Sequence, residues 1–198
     1  MTSTASPADV FAYDPGEFWD EMFAAPGEVR PFYAPLARAL STLSPAEVAR
    51  RQRAADLSFQ ARGITFAVNQ GPEGVEKIMP FDLVPRIITA VEWRKIERGL
   101  EQRVRALNLF LQDIYQTGRI LRQGVVPPEM VLGSRGYRRE VRGMSVPLGV
   151  YTHVVGSDLV RDASGEFYVL EDNLRTPSGV SYVVENRRVL KRVWSQIF

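Results

Sequence analysis

Apolar residues recur at spacings of three and four over residues 93–114, and this pattern predicts the longest helix of the chain. The preceding Thr89-Ala-Val-Glu92 is a capping box, and the helix is expected to end near Gly118. The opposite face carries charged residues and is interpreted as solvated. The apolar positions are Trp93, Ile96, Leu100, Val104, Leu107, Phe110 or Leu111, and Ile114.

Shorter patterns predict further elements on either side of this helix. Ser44-Pro-Ala-Glu47 is a second capping box with a proline in the first turn, and it predicts a helix to about Ala61. Two β-prone runs flank Gly71–Gly74 and predict a hairpin. A short helical turn is expected over Pro127–Leu132, and a final helix from about Gly179 to Trp194.

The first 33 residues mix proline, glycine and aromatic residues without a sustained period. We interpret them as an ordered arm that packs through its aromatic side chains. Together with the helix that follows, this arm forms a predicted N-terminal helical region over residues 1–60.

A second hairpin is predicted around the turn Asp162–Gly165, and its loop length decides which residues face each other. A loop of all four turn residues places Asp158 opposite Val169. A two-residue loop of Ser164–Gly165 places Asp158 opposite Glu171 instead. A three-residue loop would change the register by one residue and separate Asp158 from Glu171.

In the two-residue and four-residue registers, Asp158, Glu171 and Asn173 share one face of the hairpin, because side chains alternate with period two. Residues that are opposed or diagonal on one face lie about 5–8 Å apart. Two carboxylates and an amide oxygen at such distances suit a hard cation, above all Mg²⁺. The alternative is an ordinary hairpin with solvated acidic residues at its edge.

The segment Leu174–Gly179 joins this hairpin to the final helix. Free backbone N–H groups at a helix start, next to Arg175, Thr176 and Ser178, make a candidate site for a phosphate or carboxylate. Ser178 acting simply as a helix cap is the competing interpretation.

Composition limits the chemistry that this chain can perform. The 198 residues contain no cysteine and one histidine, His153, which excludes disulfides, thiol nucleophiles and iron–sulfur clusters and argues against a histidine metal cage. Any metal is therefore expected to be a hard cation held by oxygen. Hydrophobic residues make up 45% and charged residues 24% of the chain, as in ordinary globular proteins.

Charge and hydropathy bear on partners and location. Net charge is only +2 and no nucleic-acid reading motif is present, so nucleic-acid binding is disfavoured. The basic residues are mostly arginine, which suits bidentate contact with carboxylate or phosphate, although a GC-rich genome explains the bias equally well. No apolar run approaches the roughly 18 residues of a membrane span, and no signal pattern opens the chain, so we expect a cytoplasmic protein without membrane contact.

Several separated blocks, in order, resemble the circularly permuted type 2 ATP-grasp family, which is similar to the ATP-grasp half of glutathionylspermidine synthetase. The resemblance extends from about Gln60 to the C-terminus. The blocks are Met79–Arg86, Glu97–Arg103, Ala106–Leu111, Tyr168–Tyr182 and Glu185–Arg187.

The resemblance implies an α+β fold with an antiparallel sheet and packed helices. ATP-grasp enzymes join a carboxylate to an amine through an acyl phosphate, with ATP between two subdomains and Mg²⁺ bridging its phosphates. Their metal set, an acidic residue on one strand and Glu-x-Asn on the next, falls on Asp158, Glu171 and Asn173. The hairpin pattern selects the same three residues.

The same resemblance gives roles to the neighbouring residues. Arg175 would be catalytic, stabilising negative charge during phosphoryl transfer, while Thr176 and Ser178 would line the acyl-phosphate or acceptor pocket. Arg161 would either help to hold phosphate or pair with Glu166 across the hairpin.

The resemblance also implies that residues 61–198 are only the N-terminal part of the ATP-grasp domain. Family members are longer, and their nucleotide subdomain would follow Phe198. We therefore expect part of an ATP- and Mg²⁺-dependent carboxylate–amine ligase, inactive alone. Its partners would be small-molecule or peptide carboxylate and amine substrates and the missing C-terminal part. The alternative is a non-catalytic binding or interaction module derived from this fold.

Overall fold

The computed structural model of the protein describes residues 13–68, 75–78 and 80–196. These residues form six α-helices, and none of the described helices is long and apolar enough to cross a membrane. The helices are α1 (Ala34–Ser41), α2 (Pro45–Ala61), α3 (Ala90–Tyr115), α4 (Arg119–Arg122), α5 (Pro128–Leu132) and α6 (Gly179–Val193).

The described strands form three separate two-stranded sheets rather than one continuous layer. They are β1 (Phe23–Ala25) with β2 (Glu28–Val29), β3 (Thr65–Val68) with β4 (Val75–Ile78), and β5 (Gly156–Arg161) with β6 (Phe167–Asn173). β3 and β4 pair antiparallel from Thr65 opposite Ile78 to Val68 opposite Val75. The predicted α+β class is confirmed, while the turn predicted at Gly71–Gly74 lies outside the described residues.

The helix starts follow the signals in the sequence. Ser44 precedes α2 with an extended backbone, and its hydroxyl accepts a hydrogen bond from the Glu47 N–H at 3.2 Å. α2 ends at Ala61 and α6 runs from Gly179 to Val193, so the predicted bounds of both helices are confirmed within one residue.

The chain divides into two compact units that interleave along the sequence. The first combines residues 1–89, 161–168 and 178–198, and the second combines residues 90–160 and 169–177. The predicted division at residue 60 stays a prediction.

One apolar cluster of the first unit is built around two fully buried aromatic side chains, Trp194 and Tyr33. Trp194 Nε1 donates to the carbonyl of Leu83 at 2.7 Å. Tyr33 Oη donates to the carbonyl of Pro85 at 3.0 Å and accepts from the Ile87 N–H at 2.9 Å. The loop before α3, which has few backbone partners of its own, is therefore fixed to the core by side chains.

In the second unit, α3 buries Ile96, Ile114 and Tyr115. Trp93, which the apolar period places on the same face, is 49% exposed. A period marks which residues share a face, but burial of each turn depends on what packs there.

The β-prone run Val150–Arg161 predicts one strand, and this prediction is wrong for residues 150–155, since β5 begins at Gly156. The side chain of Asn108 on α3 supplies the reason. Its Oδ1 accepts from the N–H groups of Tyr151 at 2.9 Å and Thr152 at 3.3 Å, and its Nδ2 donates to the Thr152 hydroxyl at 3.0 Å. These bonds replace the ladder bonds that a strand would need.

The Trp194→Phe variant tests the anchoring role of the indole. It retains most of the buried apolar area but leaves the Leu83 carbonyl without its donor, so we expect a loss of about 1–3 kcal/mol in the free energy of unfolding. Urea unfolding measures the loss. Trp93→Phe makes the same substitution at a half-exposed site and should cost less than about 0.5 kcal/mol; equal losses for both variants would contradict the anchoring role.

Candidate functional site

The hairpin of β5 and β6 turns through a three-residue loop, Ala163–Gly165. The Asp162 N–H donates to the carbonyl of Glu166 at 3.0 Å, and the Gly165 N–H donates to the carbonyl of Asp162 at 3.0 Å. Gly165 has φ +86°, the left-handed conformation that closes this type of loop. The predicted two-residue and four-residue loops are therefore both wrong.

The Asp162 carboxylate holds this loop together. Its Oδ1 accepts from the Ser164 N–H at 2.9 Å, the Ser164 hydroxyl at 2.6 Å and the Glu166 N–H at 3.0 Å. The hydrogen bond from the Ser164 hydroxyl is the main cause that lowers the pKa of Asp162 below its ordinary value. The loop geometry is thus encoded by local polar contacts that hairpin propensity alone does not specify.

Further along β6 the alternation of exposed and half-buried side chains breaks. Phe167 and Val169 are half-buried and Tyr168 is exposed, but Leu170 and Glu171 are both exposed before Asp172 turns inward. The Ser157 hydroxyl donates to Asp172 Oδ1 at 2.7 Å, which places these two residues together on the inner face. One extra residue in β6 at this point, a β-bulge, accounts for both observations.

Such a bulge would offset the three-residue loop. The loop alone would separate Asp158 from Glu171, whereas one extra residue in β6 would return Glu171 to the face of Asp158, in agreement with the exposure of both side chains. Asn173 is exposed as well, and its Nδ2 donates to Glu171 Oε1 at 3.0 Å. All three residues are thus exposed in the structure, while their common role in metal binding stays a prediction.

Asp172, between Glu171 and Asn173, is nearly buried and forms structural contacts. Its side chain is only 7% exposed, and Oδ2 accepts from Arg103 Nε at 2.5 Å while Oδ1 accepts from the Ser157 hydroxyl. Partial burial opposes ionisation, but the bonds from Ser157 and Arg103 outweigh it and hold the pKa of Asp172 below its ordinary value. No sequence pattern predicted a role for Asp172, Ser157 or Arg103, although their contacts orient the end of β6.

The three exposed residues have the donor chemistry of a hard-cation site. Two carboxylates and one amide oxygen are ligands that Mg²⁺ accepts together with water and phosphate. Within the described chain, no basic side chain forms an ion pair with Asp158 or Glu171. The part of the chain that the structure describes contains no group of three or more His, Cys, Asp or Glu side chains placed to hold a metal by themselves. A cation here would therefore depend on Asn173 and on non-protein oxygen atoms.

The segment after β6 is held close to the start of β5. A Cβ atom on Gly156 would lie 2.7 Å from Pro177 Cβ, so only glycine allows this approach. Arg175 and Thr176 are exposed. Ser178 has a helical backbone (φ −66°, ψ −26°) and its side chain makes no capping hydrogen bond, so the interpretation of Ser178 as a helix cap is wrong.

Arg161 lies in the first unit and has partners of its own there. Its Nη1 donates to Glu21 Oε2 at 2.6 Å, and its Nε donates to the Gly165 carbonyl at 3.0 Å. The guanidinium stacks over Trp19 and Phe167, with 4.7 and 4.0 Å to the ring centroids, and the side chain is 7% exposed. Phosphate binding by Arg161 stays a prediction, and it would require this residue to leave Glu21.

Comparison with known proteins agrees with the predicted resemblance. Residues 85–198 match the family described as "Circularly permuted ATP-grasp type 2". The chain belongs to this family. The matched region begins later than the Gln60 expected from the sequence blocks, and it contains every predicted site residue.

Relatives of this ATP-grasp chain extend the similarity over most of its length. It is 47% identical to an uncharacterized protein of Synechocystis sp. over 187 residues, which are 94% of this chain and 39% of the relative. An uncharacterized protein of Mycobacterium tuberculosis is 47% identical over 180 residues, 91% of this chain and 32% of the relative. A Frankia alni protein named "Putative glutamate--cysteine ligase 2-3" is 40% identical over 185 residues, 93% of this chain and 21% of the relative. The chain thus spans less than half the length of these relatives.

The Gly165→Ala variant tests the geometry of the hairpin loop. Alanine would have to adopt φ +86°, and its Cβ would collide with the Trp19 ring. We expect destabilisation of more than about 2 kcal/mol, measured by urea unfolding. Gly63→Ala provides the control, because Gly63 has φ +64° but nothing within 4 Å, so it should cost only the conformational strain of about 1 kcal/mol. A Gly165→Ala loss no larger than the Gly63→Ala loss would contradict the contact with Trp19.

The depressed pKa of Asp172 predicts a pH-dependent contribution to stability. Because the folded pKa lies below the unfolded value of about 3.9, the contribution is complete above that value and is lost as pH falls through the folded pKa. Asp172→Asn should therefore be less stable than the parent by about 1–2 kcal/mol at pH 6, with the gap narrowing toward pH 3.

Urea midpoints measured from pH 3 to pH 7 give this comparison. Arg103→Gln should reproduce part of the loss, because it removes the same ion pair from the other side. Arg105→Gln is the control and should have little effect at any pH. Arg105 lies on the same helix, but its side chain is 75% exposed and pairs only with Glu101 among the described contacts. A gap that stays constant down to pH 3 would contradict the assigned pKa shift.

Proposed function

We propose that this chain is part of an ATP-dependent carboxylate–amine ligase that works through an acyl phosphate. Its membership in the ATP-grasp family and its similarity to the Frankia protein support a ligase-type role. The observation that carries the proposal is the exposed face of the β5–β6 hairpin, where Glu171 and Asn173 are bonded side by side and Asp158 shares their orientation.

Mg²⁺ would be held by the carboxylates of Asp158 and Glu171 and by the amide oxygen of Asn173. The Asn173 amide fits this role, since its nitrogen donates to Glu171 Oε1 and its oxygen remains available as a ligand. When bound, the cation would neutralise negative charge on the phosphates of ATP. Asp172 keeps its own charge paired with Arg103, which orients Glu171 and Asn173 outward without adding a third carboxylate to the exposed set.

The segment Arg175–Ser178 would position the reacting groups. Arg175 is exposed and, as a guanidinium, would contact the phosphoryl oxygens through two parallel hydrogen bonds and stabilise the charge that develops there. Thr176 and Ser178 present hydroxyl groups, and that of Ser178 is not used in capping α6. These residues would hold the acyl phosphate or the acceptor amine. Arg161 would contribute to phosphate binding only after giving up its contact with Glu21.

The remaining requirements would be met by the rest of a longer protein. The chain covers 39% or less of each relative described above, so residues outside it are available to form a nucleotide subdomain. The substrates would be a small-molecule or peptide carboxylate and an amine. Catalysis would then be a property of the whole protein and not of these 198 residues.

Glu171→Gln in the full-length protein tests the proposal. The change keeps the shape of the side chain and its ability to accept from Asn173 but removes the charge that a hard cation needs, so Mg²⁺-dependent ATP turnover should fall by about 100-fold or more. Turnover is measured across a Mg²⁺ titration, and circular dichroism checks the fold.

Glu129→Gln is the matched control, because Glu129 is an exposed glutamate in α5. It should leave turnover and its Mg²⁺ dependence unchanged. Parent-like turnover by Glu171→Gln at every Mg²⁺ concentration would exclude the assigned metal role.

A further inference from the structure

A groove of about 770 Å³ lies between α2 and the C-terminal part of α6, entirely within the first unit. Along α2 its lining residues run from Glu47 to Arg62 at helical spacing, so the groove follows about four turns, or roughly 22 Å. That length exceeds what a small ligand needs and matches a short helical peptide.

The floor of the groove is apolar and incompletely covered. Ala54, Leu57 and Ala61 contribute from α2, and Val189 and Val193 from α6. Leu57 is 64% exposed at the middle of this stripe. A large apolar side chain in a concave surface gains most from a second apolar surface that removes it from water.

The rim is strongly basic, although the whole chain carries a net charge of only +2. Arg50, Arg51, Arg62 and Arg192 line the groove, with Glu47 as the acidic side chain among the lining residues. Glu47 is shared by Arg50 at 2.8 Å and Arg51 at 3.0 Å, so one carboxylate serves two guanidinium groups.

The other arginines extend this excess of positive charge. Arg62 binds Glu185 at 2.9 Å, and Glu185 also pairs with Arg188. Arg192 is exposed and forms no ion pair among the described side chains. The groove is therefore complementary to acidic side chains placed beside an apolar stripe.

We propose that the α2–α6 groove binds an amphipathic helix of a partner protein that carries glutamate or aspartate on both sides of its apolar face. Leucine-sized side chains of the partner cover Leu57 and the alanine positions of α2. Its carboxylates contact Arg192 and the arginines at the two ends of the groove. This binding is independent of the proposed ligase chemistry, because none of the residues assigned to that chemistry lines the groove.

Binding is tested with the full-length protein and a fluorescein-labelled helical peptide of about 16 residues, with leucine at every third or fourth position and glutamate on both flanks. Fluorescence anisotropy should show saturable binding that weakens as salt is raised, because the rim contacts are between exposed charges. A peptide with lysine in place of glutamate, and one with alanine in place of leucine, should each bind at least about tenfold more weakly.

Arg192→Glu should lower the affinity for the acidic peptide about tenfold or more, since it reverses a charge that has no ion-pair partner to lose among the described residues. Arg53→Glu makes the same change on α2 at an exposed position that does not line the groove, and it should change the affinity less than about twofold. Glu171→Gln should leave peptide affinity unchanged, which separates this proposal from the proposed function.

Four outcomes would overturn the proposal. Equal losses for Arg192→Glu and Arg53→Glu would show a general charge effect. Equal binding of the leucine and alanine peptides, with displacement by millimolar inorganic phosphate, would show a site for small anions. Self-association of the protein that Arg192→Glu abolishes would show that a second copy occupies the groove. Absence of saturable binding by the acidic peptide would exclude the helix itself.

Discussion

The candidate site depends on the inward orientation of one carboxylate, that of Asp172. Its contacts with Arg103 and Ser157 fix the side of the hairpin to which each residue of β6 points. A strand residue and its immediate neighbours cannot share a face unless the pleat is interrupted. The ion pair of Asp172 with Arg103 therefore favours the outward orientation of Glu171 and Asn173. Over residues 171–173, one carboxylate serves the structure and its two neighbours remain available as candidate metal ligands.

Local signals in the sequence predicted the elements better than the contacts between them. The capping box at Ser44 and the periodicity of α3 correctly predicted helices, because caps and amphipathic spacing are encoded within a few residues. The hairpin was predicted less well. Its loop has three residues and is stabilised by the Asp162 side chain, and the alternation of β6 breaks at residues 170–171; residue preference alone predicts neither feature. The carboxylate partner of Arg161, Glu21, lies 140 positions away in the sequence, and no local pattern links it to the hairpin.

Arginine has two different uses in this chain, which composition could not distinguish. Arg103 pairs with Asp172 and Arg161 pairs with Glu21, and both ion pairs hold residues of the β5–β6 hairpin in place. The arginines along the α2–α6 groove instead outnumber the carboxylates near them and leave positive charge directed to solvent. Some arginines thus stabilise the fold through ion pairs, and others make the surface of the groove positively charged.

The interleaving of the two compact units has a consequence for how the protein can be divided. The main chain passes between them after Thr89, Val160, Tyr168 and Pro177. Each unit is therefore discontinuous in sequence, and no single cut of the gene can yield one unit intact without part of the other.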